Sequence, residues 1–545
     1  MQPRIRNPAR GAVLGAASLV CWFAGLDPSS AQVSAIDARN PTAVEACSTA
    51  RALVECTLDN MGVGRDLRRL HTLRFEIQSI TFDLAQNNHA DAPFPVSEFA
   101  TASVLEDYLG DREVTIRSAE GGGETRLFLS RQAQVTQSPN GALGKAIPPP
   151  PSWESQDPVR ALLLARLATD LVREADTVSH DALQRVVSFR NGRFRVRIFI
   201  DERLGLPTAT ESTVAFDNGA SGSVAWNGRG DITDRAEFMV YDLVEGLRFP
   251  LQTHVFRDGV HLRSTVRSGL RLDAKVDIDA IATLPAVPAP QALDMDALAL
   301  GQIIGPDPGR GTEEIAPGII QIAGSWYSTI VRQPDGLVII DAPISAGYSH
   351  RVLAEAARRF PDLPVKAVIA STGFAWHIGG LREYAARGIP IYVRDRNLAI
   401  VQTLLAAPHT LAPDAYSRSP MKADLRPLSA AVTIGTGANA TKVMPVRFGE
   451  QPMLMSWIAD ARILHTAEMV QPLGPGGALL YPESLLEIVR SVDEAGVPVG
   501  GMSIIGMHMG PTPWARVGQT LAKFAGPALE RTLGTVYLDQ RGSCP

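Results

Sequence analysis

The chain has 545 residues, 45% of them apolar and 20% charged, with a formal charge of −5. That length exceeds one ordinary domain and predicts two or three, with ample apolar content for large cores. The acidic balance argues against nucleic acid or another polyanion as partner, since it lacks the basic footprint these require.

The first 31 residues read as an export signal. Arg4, Arg6 and Arg10 form a positive start, residues 11–26 are a charge-free apolar run, and Ser29 and Ala31 stand at the small positions a signal peptidase needs. The run of 16 residues falls short of the roughly 20 that span a bilayer. An uncleaved anchor is the alternative. Cys21 follows Val20, where a lipid-attachment site wants a smaller residue. Cleavage after Ala31 removes three arginines and one aspartate, leaving 49 basic and 56 acidic residues, a charge of −7. The mature protein is expected to be periplasmic or secreted, and no later segment is long and apolar enough to cross a membrane. An oxidising compartment permits a Cys47–Cys56 bridge, with Cys544 left over; three unpaired thiols are the alternative.

Residues 32–290 predict a mostly antiparallel β domain with a helix. A short helical segment covers 43–58, and alternating apolar and polar residues over 73–85 and 112–119 read as half-buried strands. Residues 158–175 read as a helix with Asp157 as N-cap and Pro158 in the first turn. Strands resume near 192 and run to 277. Pro, Ala and Gly then dominate, which sets a linker at 291–312.

From 313 to 545 strands alternate with helices, the pattern of an α/β (α+β) unit with its site along one edge. The buried strand "AVIA" (367–370) opens into "STGFAWHIGG", then a helix. "PMLMSWIAD" and "RILHTAEMV" read as a hairpin carrying Glu468, and a last strand runs into a loop at His508. In the 482–496 helix Leu485, Ile488, Val489 and Val492 fall on one face.

These stretches, with "GSWYSTIVRQPDGLVIIDAP" and its Asp341, resemble the metallo-β-lactamase fold family in order. The resemblance implies an αβ/βα sandwich. The first domain more weakly resembles the half-barrel of lipoprotein carriers, through "IDERLGLPTATES", "VEGLRFPLQTHVFRDG" and "LRLDAKVD". Members of the metallo-β-lactamase family bind two metals through an HxHxDH loop and later ligands. Here the six loop positions run from Thr372 to His377. Thr372 and Phe374 replace two histidines of the first site, Trp376 replaces the aspartate, and His377 is kept. The third histidine of that site should fall near Phe448, Gly449 and Glu450, where there is none. His377, Glu468 and His508 match three of the four ligands of the second site, a set that suits one zinc or iron ion. His465 is expected to point away from Glu468 along an extended strand.

The resemblance therefore implies a degenerate centre: at most a mononuclear metal-dependent hydrolase. The alternative is an inactive binding or interaction protein in which Phe374 and Trp376 fill the old cleft and no metal binds. A metal-free nucleophile at Ser371 or Thr372 lacks an orienting acid. The glycine runs at 121 and 435 lack the ending of a phosphate loop, and "AWNGRGD" reads as a turn.

Overall fold

A computed structural model describes most residues between 44 and 523. The export signal, residues 273–311 with nearly all of the expected linker, the turn at Trp226, the Phe448–Glu450 positions and Cys544 lie outside the described residues.

Among the described residues, 44–272 build one 13-stranded antiparallel sheet and two α-helices. The first strand, Thr72–Phe82, lies between Val96–Asp107 and the distant Val260–Leu272. From there the sheet runs through Leu247–Arg257, Asp231–Val244, Pro207–Ala215, Phe194–Asp201 and Ala182–Asn191. The helices Ala50–Met61 and Pro158–Leu167 cover its face, joining Leu53, Leu58 and Leu162 to Val187, Ile198 and Phe249 in one core. Thr49 caps the first helix, and Gly62, at φ 87°, closes it in the left-handed conformation that favours glycine. A disulfide joins Cys47 to Cys56. Asp157 caps the second helix as expected, accepting from Arg160 N at 2.8 Å. That helix stops at Leu167 instead of 175, because Val172–Arg173 leaves to pair with Val187 and Ser188 at the sheet edge. Tertiary pairing overrides a helix-prone sequence there.

Residues 312–523 form two sheets packed face to face. The seven-stranded sheet starts with an antiparallel meander and turns parallel at Gly336–Ile340, Val365–Ala370, Ile391–Arg394 and Leu425–Leu428. The six-stranded sheet carries Leu454–Ile458, Ile463–His465, Ser503–Gly506 and Met509–Pro513. The period-2 alternation of strands explains the layering. Val338, Ile340 and Ile369 face Leu454, Ile458 and Ile505 of the other sheet. Ile339, Val368 and Ala370 point the other way, onto the helices Ala346–Arg359 and Leu381–Ala386. On the outside of the second sheet, Leu464 and Ile504 meet Leu485, Ile488, Val489 and Val492 of the helix Pro482–Glu494. The result is helix–sheet–sheet–helix.

The two units touch at Asp231. Its backbone N donates to Pro408 O at 2.7 Å, and its carboxylate accepts from Thr410 N at 2.9 Å.

Candidate metal centre

Four strands of the second unit end at one edge, and each hands a side chain to the same place. Gly336–Ile340 leads to Asp341, Val365–Ala370 to the loop of His377, Ile463–His465 to Glu468, and Ser503–Gly506 to His508. Backbone hydrogen bonds knit these ends together: Leu454 N to Ser371 O, Thr466 N to Ile505 O, Met507 N to Ala467 O and Tyr327 N to Met507 O, all between 2.7 and 3.0 Å. Such a frame fixes the loops without help from their side chains.

His377 sits in the short helix Ala375–Ile378 and is buried, 2% exposed. The Gly379–Gly380 pair lets the next helix approach Ala346–Arg359 closely. A Cβ on Gly380 would lie 2.1 Å from Ser349 Oγ and 2.7 Å from Ser345 O. Glu468 stands in a turn after its strand, which Ala467 makes at φ 56°. His508 occupies the tight hairpin between Gly506 and Met509 and is the most open of the three.

The three side chains converge. His377 Nδ1 is 3.1 Å from Glu468 Oε2, and His508 Nε2 is 3.7 Å from Glu468 Oε1. All three ligand atoms lie within 4.8 Å of one another, and no other such His/Cys/Asp/Glu group occurs among the described residues. Yet His377 Nδ1 and Glu468 Oε2 are buried and not aligned as a hydrogen bond. Burial pushes the Glu468 carboxyl up, but the two imidazoles outweigh it and hold it at about 2. An ionised carboxylate and two imidazole nitrogens facing one point are the donors a divalent ion takes.

Aromatic rings wall the group. Trp326 lies against both imidazoles, with ring centroids 6.5 Å from His377 and 6.3 Å from His508. Phe374 meets His377 edge-on at 6.0 Å and packs against the second sheet's outer core. The buried Thr372 spends its hydroxyl locally, accepting from Phe374 N at 3.2 Å. Nothing in the sequence had singled out Trp326; its place just before a core strand is the one available signal.

Beneath the group lies a second buried pair. Asp341 Oδ1 accepts from Ser371 N at 2.9 Å, and its Oδ2 is 3.3 Å from His465 Nε2. His465 Nδ1 accepts from Ala467 N, so its proton is on Nε2, facing the carboxylate. His465 thus stays out of the His377–Glu468–His508 group, as expected. The reason differs: the chain leaves the strand at His465, and a turn rather than strand alternation carries Glu468 to the imidazoles.

No family model matches the chain. It is similar to YflN of Bacillus subtilis (strain 168), a probable metallo-hydrolase, at 27% identity over 222 residues, 39% of this chain and 81% of that protein. Among solved structures, the metallo-β-lactamase from Pontibacter korlensis aligns at 14% identity over 39% of this chain and 96% of its own, with a TM-score of 0.30. The sec-alkylsulfatase Pisa1 from Pseudomonas sp. aligns at 16% identity over 39% of this chain and 40% of its own, with a TM-score of 0.29. With its helix–sheet–sheet–helix layering and its metallo-hydrolase relative, the C-terminal unit has the metallo-β-lactamase fold.

Proposed function

We propose that this protein is an exported hydrolase that works with a single divalent metal ion, zinc or iron, held by His377, Glu468 and His508. The observation that carries this reading is the convergence of their three ligand atoms within 4.8 Å. Atoms so placed share a point about 2.8 Å or less from each, close to zinc–ligand distances of about 2.0–2.2 Å. The misaligned, buried His377 Nδ1 and Glu468 Oε2 fit the same reading, since a shared ion would satisfy both.

When bound, a divalent ion in such a set polarises a carbonyl or phosphoryl oxygen and lowers the pKa of water from 15.7 toward 7. The chain's own residues do the rest. Glu468, ionised across the physiological range, supplies the negative charge of the set. Trp326 sets its ring beside both imidazoles, while the more open His508 marks the side from which a small-molecule substrate enters.

Two substitutions argue for one ion rather than two. Thr372 and Phe374 stand where the family's first site has imidazoles, and neither is a zinc donor of the usual kind. Phe374 is committed to the apolar core. Trp376 replaces the carboxylate that would help hold water, so turnover should be slow and favour substrates with good leaving groups, such as activated esters and thioesters. The N-terminal export signature and the Cys47–Cys56 disulfide support an oxidising, extracytoplasmic location. The aromatic rings against His377 favour one alternative, a metal-free pocket that binds a ligand without turning it over.

Metal analysis of the mature protein, purified without chelator beside a His377→Ala/His508→Ala double variant, separates the two. About one zinc or iron per chain, lost in the variant, supports the hydrolase and calls for an ester and lactam screen. No metal in either sample, even after zinc or iron is supplied, overturns the hydrolase and leaves the ligand pocket.

A further inference from the structure

We propose that the first unit carries a separate binding site for a small organic monocarboxylate, in the cavity between its sheet and the turn Trp153–Gln156. The cavity measures about 220 Å³. Alternation along the strand Val260–Leu272 turns Arg263, Thr265 and Arg267 to one face, and all three line it.

Neither arginine has a carboxylate in contact with it. Arg267 Nη1 donates to Thr253 Oγ1 at 2.6 Å, and its guanidinium lies 5.4 Å from the Phe75 ring and 5.6 Å from that of Phe249. Arg263 Nη2 donates to Gln156 Oε1. The Nε atoms of both are closed off from solvent and have no hydrogen-bond partner. No carboxylate among the described residues lies within the 4.0 Å of a salt bridge to either arginine, and burial pushes both guanidiniums below their ordinary range. Of the cavity's four acids two are ion-paired, and the other two, Glu113 and Asp157, act on the arginines only from beyond contact distance. Glu98 pairs with Arg117 and Glu106 with Arg160, while Asp157 accepts from Tyr108 Oη at 2.9 Å and caps its helix. Glu113 accepts from Thr115 Oγ1 at 2.9 Å.

Sequestering cations without partners is costly, and a bound anion removes that cost. The guanidinium fork matches a carboxylate in two parallel hydrogen bonds. Phe75, Leu127 and Leu129 give the same cavity apolar walls. A cavity of about 150 Å³ holds benzene, so this one takes a body of that size, an aryl ring or a short alkyl chain, with its carboxylate. The nearby Glu106, Glu113 and Asp157 disfavour a phosphate dianion, because each further negative charge would be repelled.

Isothermal titration calorimetry of the full mature chain at pH 7 tests this with benzoate, hexanoate, the neutral benzamide and hexanamide, and inorganic sulfate. The His377→Ala/His508→Ala variant is run in parallel to remove carboxylate binding at the metal centre. Expected is one saturable site for benzoate or hexanoate, kept in that variant, at least tenfold weaker for the amides and for sulfate. Arg263→Gln and Arg267→Gln should each weaken it tenfold or more while circular dichroism stays unchanged. No saturable carboxylate site, equal binding of the amides or of sulfate, loss in the histidine variant, or no effect of folded arginine variants overturns the proposal. If the arginine variants do not fold, carboxylate against amide on the unmodified chain still decides it.

Discussion

Asp341 and His465 face each other at 3.3 Å, both fully buried, at the ends of strands from opposite sheets. Burial raises the Asp341 carboxyl to about 7, with hydrogen bonds from Ser371 offsetting part of the rise. Burial lowers the His465 imidazole to about 3. Between pH 4 and pH 6.5 the folded pair therefore titrates as a unit that holds one proton. The unfolded chain also holds one, on the histidine.

That coupling predicts a hidden pH dependence. A raised acid favours the fold at low pH and loses that contribution as pH climbs from 3.8 toward about 7. A lowered histidine does the reverse, its contribution being lost as pH falls from 6.5 toward about 3. In the native pair the slopes cancel across their overlap. Asp341→Asn leaves only the histidine, so its stability relative to the native chain rises with pH there, by up to about 1.4 kcal/mol per unit. His465→Gln leaves only the aspartic acid and falls by a similar slope. Urea denaturation at half-unit intervals reads both; parallel profiles for the three proteins would rule the coupling out.

Glu468→Gln keeps shape and removes charge. The zinc affinity of the mature protein should fall by more than about a hundredfold, beyond the ten- to hundredfold typical of outer-shell partners. In metal-free protein the native Glu468, held at about 2, contributes stability that is present above its ordinary 4.5 and lost as pH falls toward 2. The glutamine variant should lack that acid-side loss. Competition with a chromophoric chelator and acid denaturation in EDTA measure the two effects, and an unchanged zinc affinity would remove Glu468 from the ligand set.

Trp376→Asp restores the carboxylate that the family's loop carries, one residue before His377. If Glu468 and the two histidines form the second site, a fourth donor should tighten metal binding at least tenfold, with the stoichiometry still one per chain. Rising ester hydrolysis would accompany it. Two ions per chain in this variant would mean that the first site had kept donors outside Thr372 and Phe374.

His377, Glu468 and His508 could be named from sequence because the family resemblance matches them in order, and each follows an apolar strand that announces where its loop begins. The pairs that stayed hidden are long-range. Asp341 and His465 meet only because two sheets stack, and nothing local marks either as a partner. Trp326 reads as one more aromatic before a strand until the hairpin of His508 is folded beside it. The overlong helix at 158–175 failed for a related reason: Val172 and Arg173 are helix-compatible and were claimed by a neighbouring strand. The two arginines of the cavity show only as alternation, since what they lack is visible solely in three dimensions.

The contact between the units yields the last prediction. Asp231 accepts from Thr410 N at 2.9 Å and from Leu411 N at 3.2 Å, fastening a loop that continues to Asp414. The Asp414 carboxylate in turn accepts from Arg382 Nη2 at 2.9 Å, and Arg382 belongs to the helix that follows the His377 loop. Because the Asp231 bonds are exposed, Asp231→Ala should cost only about 1 kcal/mol. Amide exchange at Thr410 and Leu411 should nonetheless accelerate, as water replaces a carboxylate that holds both. Gly230→Ala should act more strongly: a Cβ there would lie 1.8 Å from Pro408 O, at a φ of 83° that side chains rarely adopt. Metal content should stay unchanged in both, since the Arg382–Asp414 pair remains to hold the helix. Loss of metal in Asp231→Ala would mean that the first unit positions the His377 loop through this contact.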